Sequence, residues 1–142
     1  MIDITSLAYI AGIVDGEGYV GICKNKSKKR KNENTQYIET VSIGMNKPHA
    51  ISLINEIFGG KIREEKYIKN RITFTNKSAM NFLRNIFPYL RVKSGNARIL
   101  FELEKDKYDN IGHQRISDTR IEFREYLYRK VKALNHNYGV IE

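Results

Sequence analysis

The sequence has a single cysteine, Cys23, so it can build neither an internal disulfide framework nor a cysteine-based zinc cluster. Cys23 also lies in a strand-like run with no histidine near it, which argues against a thiol nucleophile. The three histidines, His49, His113 and His136, are isolated and lack the H-E-x-x-H or Cys/His spacing of a zinc site. There is no G-x-x-x-x-G-K-[ST] phosphate loop and no G-x-S-x-G nucleophile turn. No apolar run approaches the length that spans a bilayer, and the first residues show no basic leader region or cleavage site. The expectation is an intracellular protein of the cytoplasm, nucleoid or an organelle matrix, with no membrane partner and no small-molecule substrate.

Acid is the other scarce ingredient. Asp and Glu number 16 against 25 Lys and Arg, a net charge of +9. Such a surface suits a polyanion. A headgroup layer would call for a basic amphipathic helix with large exposed apolar residues. Nine tyrosines, no tryptophan and scattered Asn and Thr suit groove and phosphate contacts better, which points to nucleic acid. At 142 residues, 41% hydrophobic and 29% charged, the chain reads as one domain over 1–142 with a core of its own.

Thr5 or Ser6 can cap a first helix starting at Leu7, which Gly16 and Gly18 stop. Leu7, Ile10, Ile13 and Val14 give it an apolar face; Ala8, Ala11 and Gly12 leave a flat one. Tyr19–Lys24 and Gln36–Met45 alternate at strand period, separated by the basic, wholly polar loop Asn25–Asn34. A helical stripe from Ala50 to Phe58 ends at Gly59-Gly60. Lys61–Lys66 and Arg71–Thr75 read as a second hairpin, with Ile62, Ile72 and Phe74 toward the core. Three helices follow: one through Met80, Phe82, Leu83 and Ile86, one over Gly95–Lys107, and one from Asp118 to about Asn135 with Arg120 and Arg124 exposed. The order α-β-β-α-β-β-α-α-α implies an α+β layer: an antiparallel sheet with helices on one face and a wet, polar face opposite.

The chemistry concentrates in Ile10-Ala11-Gly12-Ile13-Val14-Asp15-Gly16-Glu17-Gly18. D-G-E-G alone is ordinary turn composition, with acids capping local N–H groups. The apolar helix before it changes the reading, because a carboxylate at the foot of a buried helix is costly unless a cation or donors await it. Glu17 and the Gly16 carbonyl are the oxygen types that Mg²⁺ takes, although one chain supplies too few acids. Two chains meeting through Ala8, Ala11, Gly12 and Asp15 would bring two Glu17 side by side. Lys93, in R-V-K-S-G-N, can point at a phosphate or polarise a water, and Asn46 stands where the second strand ends.

The nonamer resembles the signature of the LAGLIDADG homing endonucleases, here in single copy. V-S-I-G-M-N-K with the following helix and F-G-G-K-I, N-F-L-R-N-I-F-P-Y-L-R-V-K, and the final helix ending K-A-L-N extend the resemblance from Leu7 to about Asn135. It implies the αββαββα fold, a β-sheet saddle and a homodimer of the intron-encoded kind. It further implies a double-strand break in a long pseudo-palindromic DNA site, made with Mg²⁺ or Mn²⁺. Glu17 would then be the metal-binding acid and Lys93 the catalytic lysine. The family's water-positioning Gln falls on Met45 or Asn46, a one-residue difference in register. Glu replaces the commoner Asp at the last acid. An RNA maturase, or a non-catalytic DNA-binding regulator on the same fold, is the alternative.

On this reading the wet sheet face meets the DNA. It would present Tyr19, Gly21, Cys23 and Asn25 from the first strand and Gln36, Ile38, Thr40 and Ser42 from the second. The second hairpin would add Arg63, Glu65, Arg71 and Thr73. Arg63 and Arg71 are the expected guanine readers. Lys28, Lys29, Arg30 and Lys31 are expected on phosphates.

Overall fold

The computed structural model describes residues 2–26, 35–111 and 116–137. Lys28, Lys29, Arg30 and Lys31 fall outside them. The elements run α1 (Ile4–Glu17), β1 (Gly18–Asn25), β2 (Gln36–Met45), α2 (His49–Phe58), β3 (Ile62–Arg63), β4 (Asn70–Thr75), α3 (Asn76–Ile86), α4 (Ser94–Asp109) and α5 (Asp118–Asn137). A single 3₁₀ turn, Phe87–Tyr89, holds Pro88 between α3 and α4. The four strands form one antiparallel sheet ordered β1-β2-β4-β3. No helix of the described residues is long and apolar enough to cross a membrane.

Strand register divides the sheet into two faces. Val20, Ile22, Val41, Ile43, Ile72 and Phe74 turn to the helices and are buried. They meet Ile10 and Val14 of α1, Ile51 and Ile54 of α2, Phe82, Leu83 and Ile86 of α3, and Leu100 and Leu103 of α4. Phe82 anchors the centre, stacking on Phe74 and lying edge-on to Phe58, both at 4.8 Å between centroids. Burying a side chain of this size contributes about 1.5–3 kcal/mol, so these positions decide which face is inside.

The structure departs from the sequence reading in several places. α1 begins at Ile4, one turn earlier than Leu7, because Asp3 ends the extended entry and its carbonyl accepts the Leu7 N–H at 3.0 Å. β3 is only two residues long; the chain turns through 64–69, closed by the Glu65 N–H on the Ile68 carbonyl at 2.8 Å. Ile62 is therefore on a short edge and 37% exposed, not in the core. α3 starts at Asn76, which adopts φ 54°, a left-handed conformation that asparagine tolerates better than most residues.

The helix face of the sheet also carries charge. Arg124, expected on the surface, is buried, and its Nε donates to Asp106 at 2.6 Å, tying α5 to α4. Glu39 is 2% exposed and pairs with Lys107 of α4. Lys24 of β1 and the Tyr37 hydroxyl both donate to Glu125 Oε1 of α5, at 2.6 and 2.9 Å. Burial, then the Glu125 hydrogen bond, pushes the Tyr37 phenol up to about 12 from 10.0.

The folded chain therefore holds the Tyr37 proton where the unfolded chain has lost it. Between pH 10 and about 12 the native state binds more protons, so its stability must fall as pH rises through that window. Tyr37→Phe should flatten this slope in alkaline urea titrations, and an unchanged slope would show that Tyr37 titrates normally.

Candidate active site at the foot of the first helix

α1 has no charged residue between Asp3 and Asp15, and both of its sides are apolar or small. Leu7, Ile10, Ala11 and Val14 fill the inner side. The outer side is the i, i+4 ridge Ala8–Gly12–Gly16, flanked by exposed Ile4 and Tyr9. Ala11 was expected on the open face but is fully buried in the chain's own core, since residue 11 falls on the Leu7–Val14 side of the turn. Gly18 caps the helix with its N–H on the Val14 carbonyl. A Cβ there would lie 2.8 Å from that oxygen, so only glycine lets the chain pass straight from helix to strand.

The two charges beside this turn are used between elements. The Asp15 carboxylate accepts the backbone N–H groups of Arg91, Val92 and Lys93 at 2.8, 3.1 and 2.9 Å. In return the Lys93 ammonium donates to the carbonyls of Val14 and Asp15 at 2.9 and 3.1 Å. The acid satisfies donors of the bend that leads into α4, up to its cap at Lys93, and the cation adds a donor to carbonyls that close α1. Lys93 is only 8% exposed. Burial holds its pKa below the usual 10.5, against the opposing charges of Asp15 and Glu17. Asp15 thus takes part in this exchange, and the Lys93 ammonium is held at the helix end.

Glu17 is exposed, and its carboxylate makes no hydrogen bond or ion pair among the described residues. Its oxygens and the Gly16 carbonyl of the last helical turn fit a hard divalent cation. No group of three His, Cys, Asp or Glu side chains that could hold a metal is found among the described residues.

β2 ends at this same edge of the sheet, because Gly18 pairs with Ile43 and β2 runs two residues further. Met45 packs against the core, whereas Asn46 is exposed, so the polar residue at the strand end is Asn46. Its side-chain oxygen accepts the Lys69 N–H and its carbonyl accepts Asn70 Nδ2, both at 3.1 Å. Asn46 clasps the turn before β4.

On the wet face Tyr19, Gly21, Cys23 and Asn25 of β1 align with Ser42, Thr40, Ile38 and Gln36 of β2. Thr73 and Arg71 of β4 align with Ser42 and Gly44. Arg63 of β3 pairs with Arg71. Two of the expected readers are covered. Gly21 is buried, with the Tyr19 hydroxyl lying where its Cβ would stand. Thr40 is 6% exposed and bonds its hydroxyl to the Ile38 carbonyl at 3.0 Å. Glu65 lies in the turn after β3, not in a strand.

The sequence reading missed Asn96 and Asn135. Both Nδ2 groups donate to the Val20 carbonyl at 3.1 Å, and Asn96 also donates to Asn135 Oδ1 at 2.8 Å. They anchor α4 and α5 to the first residues of β1. The signal was present: Asn96 shares a helical stripe with Leu100 and Leu103, and Asn135 one with Leu127 and Val131.

Backbone comparison with solved structures decides the architecture. The I-CvuI homing endonuclease, solved with the I-CreI target in the presence of Mg, superimposes at TM-score 0.77 with 17% identity, over 92% of this chain and 82% of that one. The archaeal intron-encoded homing endonuclease I-Vdi141I, complexed with DNA, gives 0.74 and 18%, over 92% and 84%. The chain has the LAGLIDADG homing-endonuclease fold. In sequence it is 27% identical over 99 residues to the DNA endonuclease I-CreI of Chlamydomonas reinhardtii, across 68% of this chain. That match spans 61% of the relative's length. No family model matches.

The Asp15–Lys93 exchange makes a stability prediction. Lys93→Met keeps the length of the side chain but removes a charged donor from the carbonyls of Val14 and Asp15. It should lower unfolding free energy by about 1–3 kcal/mol in urea titration. Asp15→Ala should cost at least as much, and the two changes combined should cost less than their sum. Full additivity would mean that the two residues act independently.

Proposed function

We propose that this chain is a homing endonuclease that cuts both strands of a long, pseudo-palindromic DNA site as a homodimer, with Mg²⁺ or Mn²⁺ as cofactor. The observation that carries the reading is Glu17, an exposed and unengaged carboxylate at the end of a helix whose neighbouring charges are all in use. The metal would supply Lewis acidity at the scissile phosphate and lower the pKa of an attacking water. The chain's part is to hold the Glu17 carboxylate and the Gly16 carbonyl at the sheet edge, where the wet face would present the DNA backbone. Lys93, through its hold on Val14 and Asp15, fixes the helical turn that carries both groups.

Dimerisation completes what one copy lacks. Gly12 in mid-helix weakens α1 by about 1 kcal/mol relative to alanine. Yet a Cβ there would meet nothing within 4 Å, so the protomer itself does not require the glycine. Close approach of a second α1 does. Beside Ala8 and Gly12 a cavity of about 470 Å³, lined also by Asp15 and Pro88–Arg91, has room for the partner's side chains. With helices crossing there, two Glu17 would stand near the two-fold axis.

The net charge of +9 on each copy supports a DNA partner, with Lys28, Lys29, Arg30 and Lys31 assigned to phosphates. Tyr19, Cys23, Asn25, Gln36, Ile38, Ser42, Arg63, Arg71 and Thr73 are the proposed base-facing set. Such a protein works wherever its DNA is, in the cytoplasm, nucleoid or an organelle matrix.

Incubation with a site selected from a randomised duplex library, in Mg²⁺ and separately in Ca²⁺, tests the activity. Cut ends in Mg²⁺ are expected; tight binding without cutting would identify a regulator instead. Glu17→Gln should abolish cutting while DNA affinity stays equal or rises, because a charge near the phosphates is lost and shape is kept. Substantial residual cleavage by Glu17→Gln would place the metal elsewhere. Gly12→Leu should give a monomer in sedimentation and lose double-strand cleavage; an active dimer would refute the α1 interface.

A further inference from the structure

Arg71, the expected guanine reader, does not reach freely from the sheet. It pairs across from Gly44, and its guanidinium lies over that glycine. A Cβ at residue 44 would come within 2.8 Å of Nη2 and 2.9 Å of Cζ. Nε donates to Glu65 Oε1 at 2.7 Å, and Nη1 donates to Ser42 Oγ at 2.8 Å. Ser42 in turn shares a 3.0 Å hydrogen bond with Thr73. A guanidinium has five N–H donors in a fixed fork. These contacts use one on Nε and one on Nη1, leaving the second N–H of Nη1 and both on Nη2. Among these three, one N–H from Nη1 and one from Nη2 form the end of the fork that matches the O6 and N7 acceptors of guanine.

Glu65 is otherwise hard to explain on this surface. An acid facing phosphates repels them, and an ion pair as exposed as this one, with Glu65 at 50%, adds little to stability. Its value lies in holding a flexible side chain in one orientation before DNA arrives, so that less freedom is lost on binding. The turn that presents it is itself pinned by the Glu65 N–H on Ile68.

Resting on the DNA reading above, we propose that Glu65 and Gly44 are specificity-determining positioning residues: Gly44 makes room for the Arg71 guanidinium and Glu65 fixes it, without either touching the base. Glu65 acts through Arg71 and not by reading a base of its own.

The test starts from sites that the wild-type protein selects from a randomised duplex library. Binding is then measured at the base pair where Arg71→Ala relaxes preference. Wild type should favour guanine there by about tenfold or more over the other bases. Glu65→Ala and Gly44→Ala should each lose most of that preference at the same base pair, while affinity for the non-guanine sites stays equal or rises. Glu65→Gln should keep most of it, since an amide oxygen still accepts from Nε. Glu65→Ala combined with Arg71→Ala should be no less selective than Arg71→Ala alone. A Glu65→Ala effect at a different base pair, or one that adds in full to Arg71→Ala, would overturn the proposal and make Glu65 a reader. A wild type with no sequence selectivity would overturn the DNA reading together with it. A selective wild type whose guanine preference ignores Glu65 and Gly44 would overturn this proposal alone.

Discussion

The exchange between Asp15 and Lys93 is the constraint on which the rest of the site depends. Two chain segments more than seventy residues apart are locked by five hydrogen bonds, each joining a charge to backbone groups at the end of α1 or in the bend that leads into α4. Charge-assisted bonds of this kind are stronger than neutral ones, and losing either partner strands the other in a half-dry environment. Because α1 cannot shift against the start of α4, the helical turn carrying Gly16 and Glu17 has one position. Glu17 can then remain uncommitted, which a ligand-binding carboxylate must be. Rigidity of the neighbours and freedom of the acid are two sides of one arrangement.

The sheet repeats this division of labour. On its helix face apolar residues supply most of the burial energy, and a few polar contacts decide where the last two helices sit. Glu39, Glu125, Asn96 and Asn135 each tie α4 or α5 to a strand or to each other. Among the described residues no buried side-chain polar atom lacks a partner, so these contacts add position without an unpaired-group penalty. On the opposite face the polar groups are spent among themselves. Arg71, Glu65, Ser42 and Thr73 form a linked set, Tyr19 covers Gly21, and Thr40 turns its hydroxyl to its own strand. The surface facing outward is therefore narrower and more ordered than a row of alternating side chains suggests.

The proposed two-fold pairing would complete what a single copy leaves unfinished. α1 is apolar on both sides, a pattern that belongs to a helix covered on both sides. Among the described residues only one side is covered. The open ridge of Ala8, Gly12 and Gly16 and the exposed Glu17 at its end are the two features that the proposed second α1, related by a two-fold axis, would cover and complete.

Much of this was legible in the residues. Strand period in Tyr19–Lys24 and Gln36–Met45, helical stripes and glycine stops fix the element order and the buried face, because alternation and 3.6-residue repeats are local consequences of backbone geometry. The +9 charge and the nonamer with its acids are equally local. Tertiary structure alone decided where each charge goes. Asp15 was readable as a turn acid or an interface residue; its donors turned out to lie at residues 91–93. Lys93 resembles the family's catalytic lysine by its segment; only the fold shows that its ammonium sits on the end of α1. Ala11 and Gly12 are adjacent small residues, but a 100° step along the helix puts one in the core and the other outside. Met45 and Asn46 differ by one residue, and only strand pairing shows which side chain enters the core. Sequence determines what each segment can bury; which distant donor meets which acceptor depends on packing the segments together, because hydrogen bonds between elements carry no periodic signature along the chain.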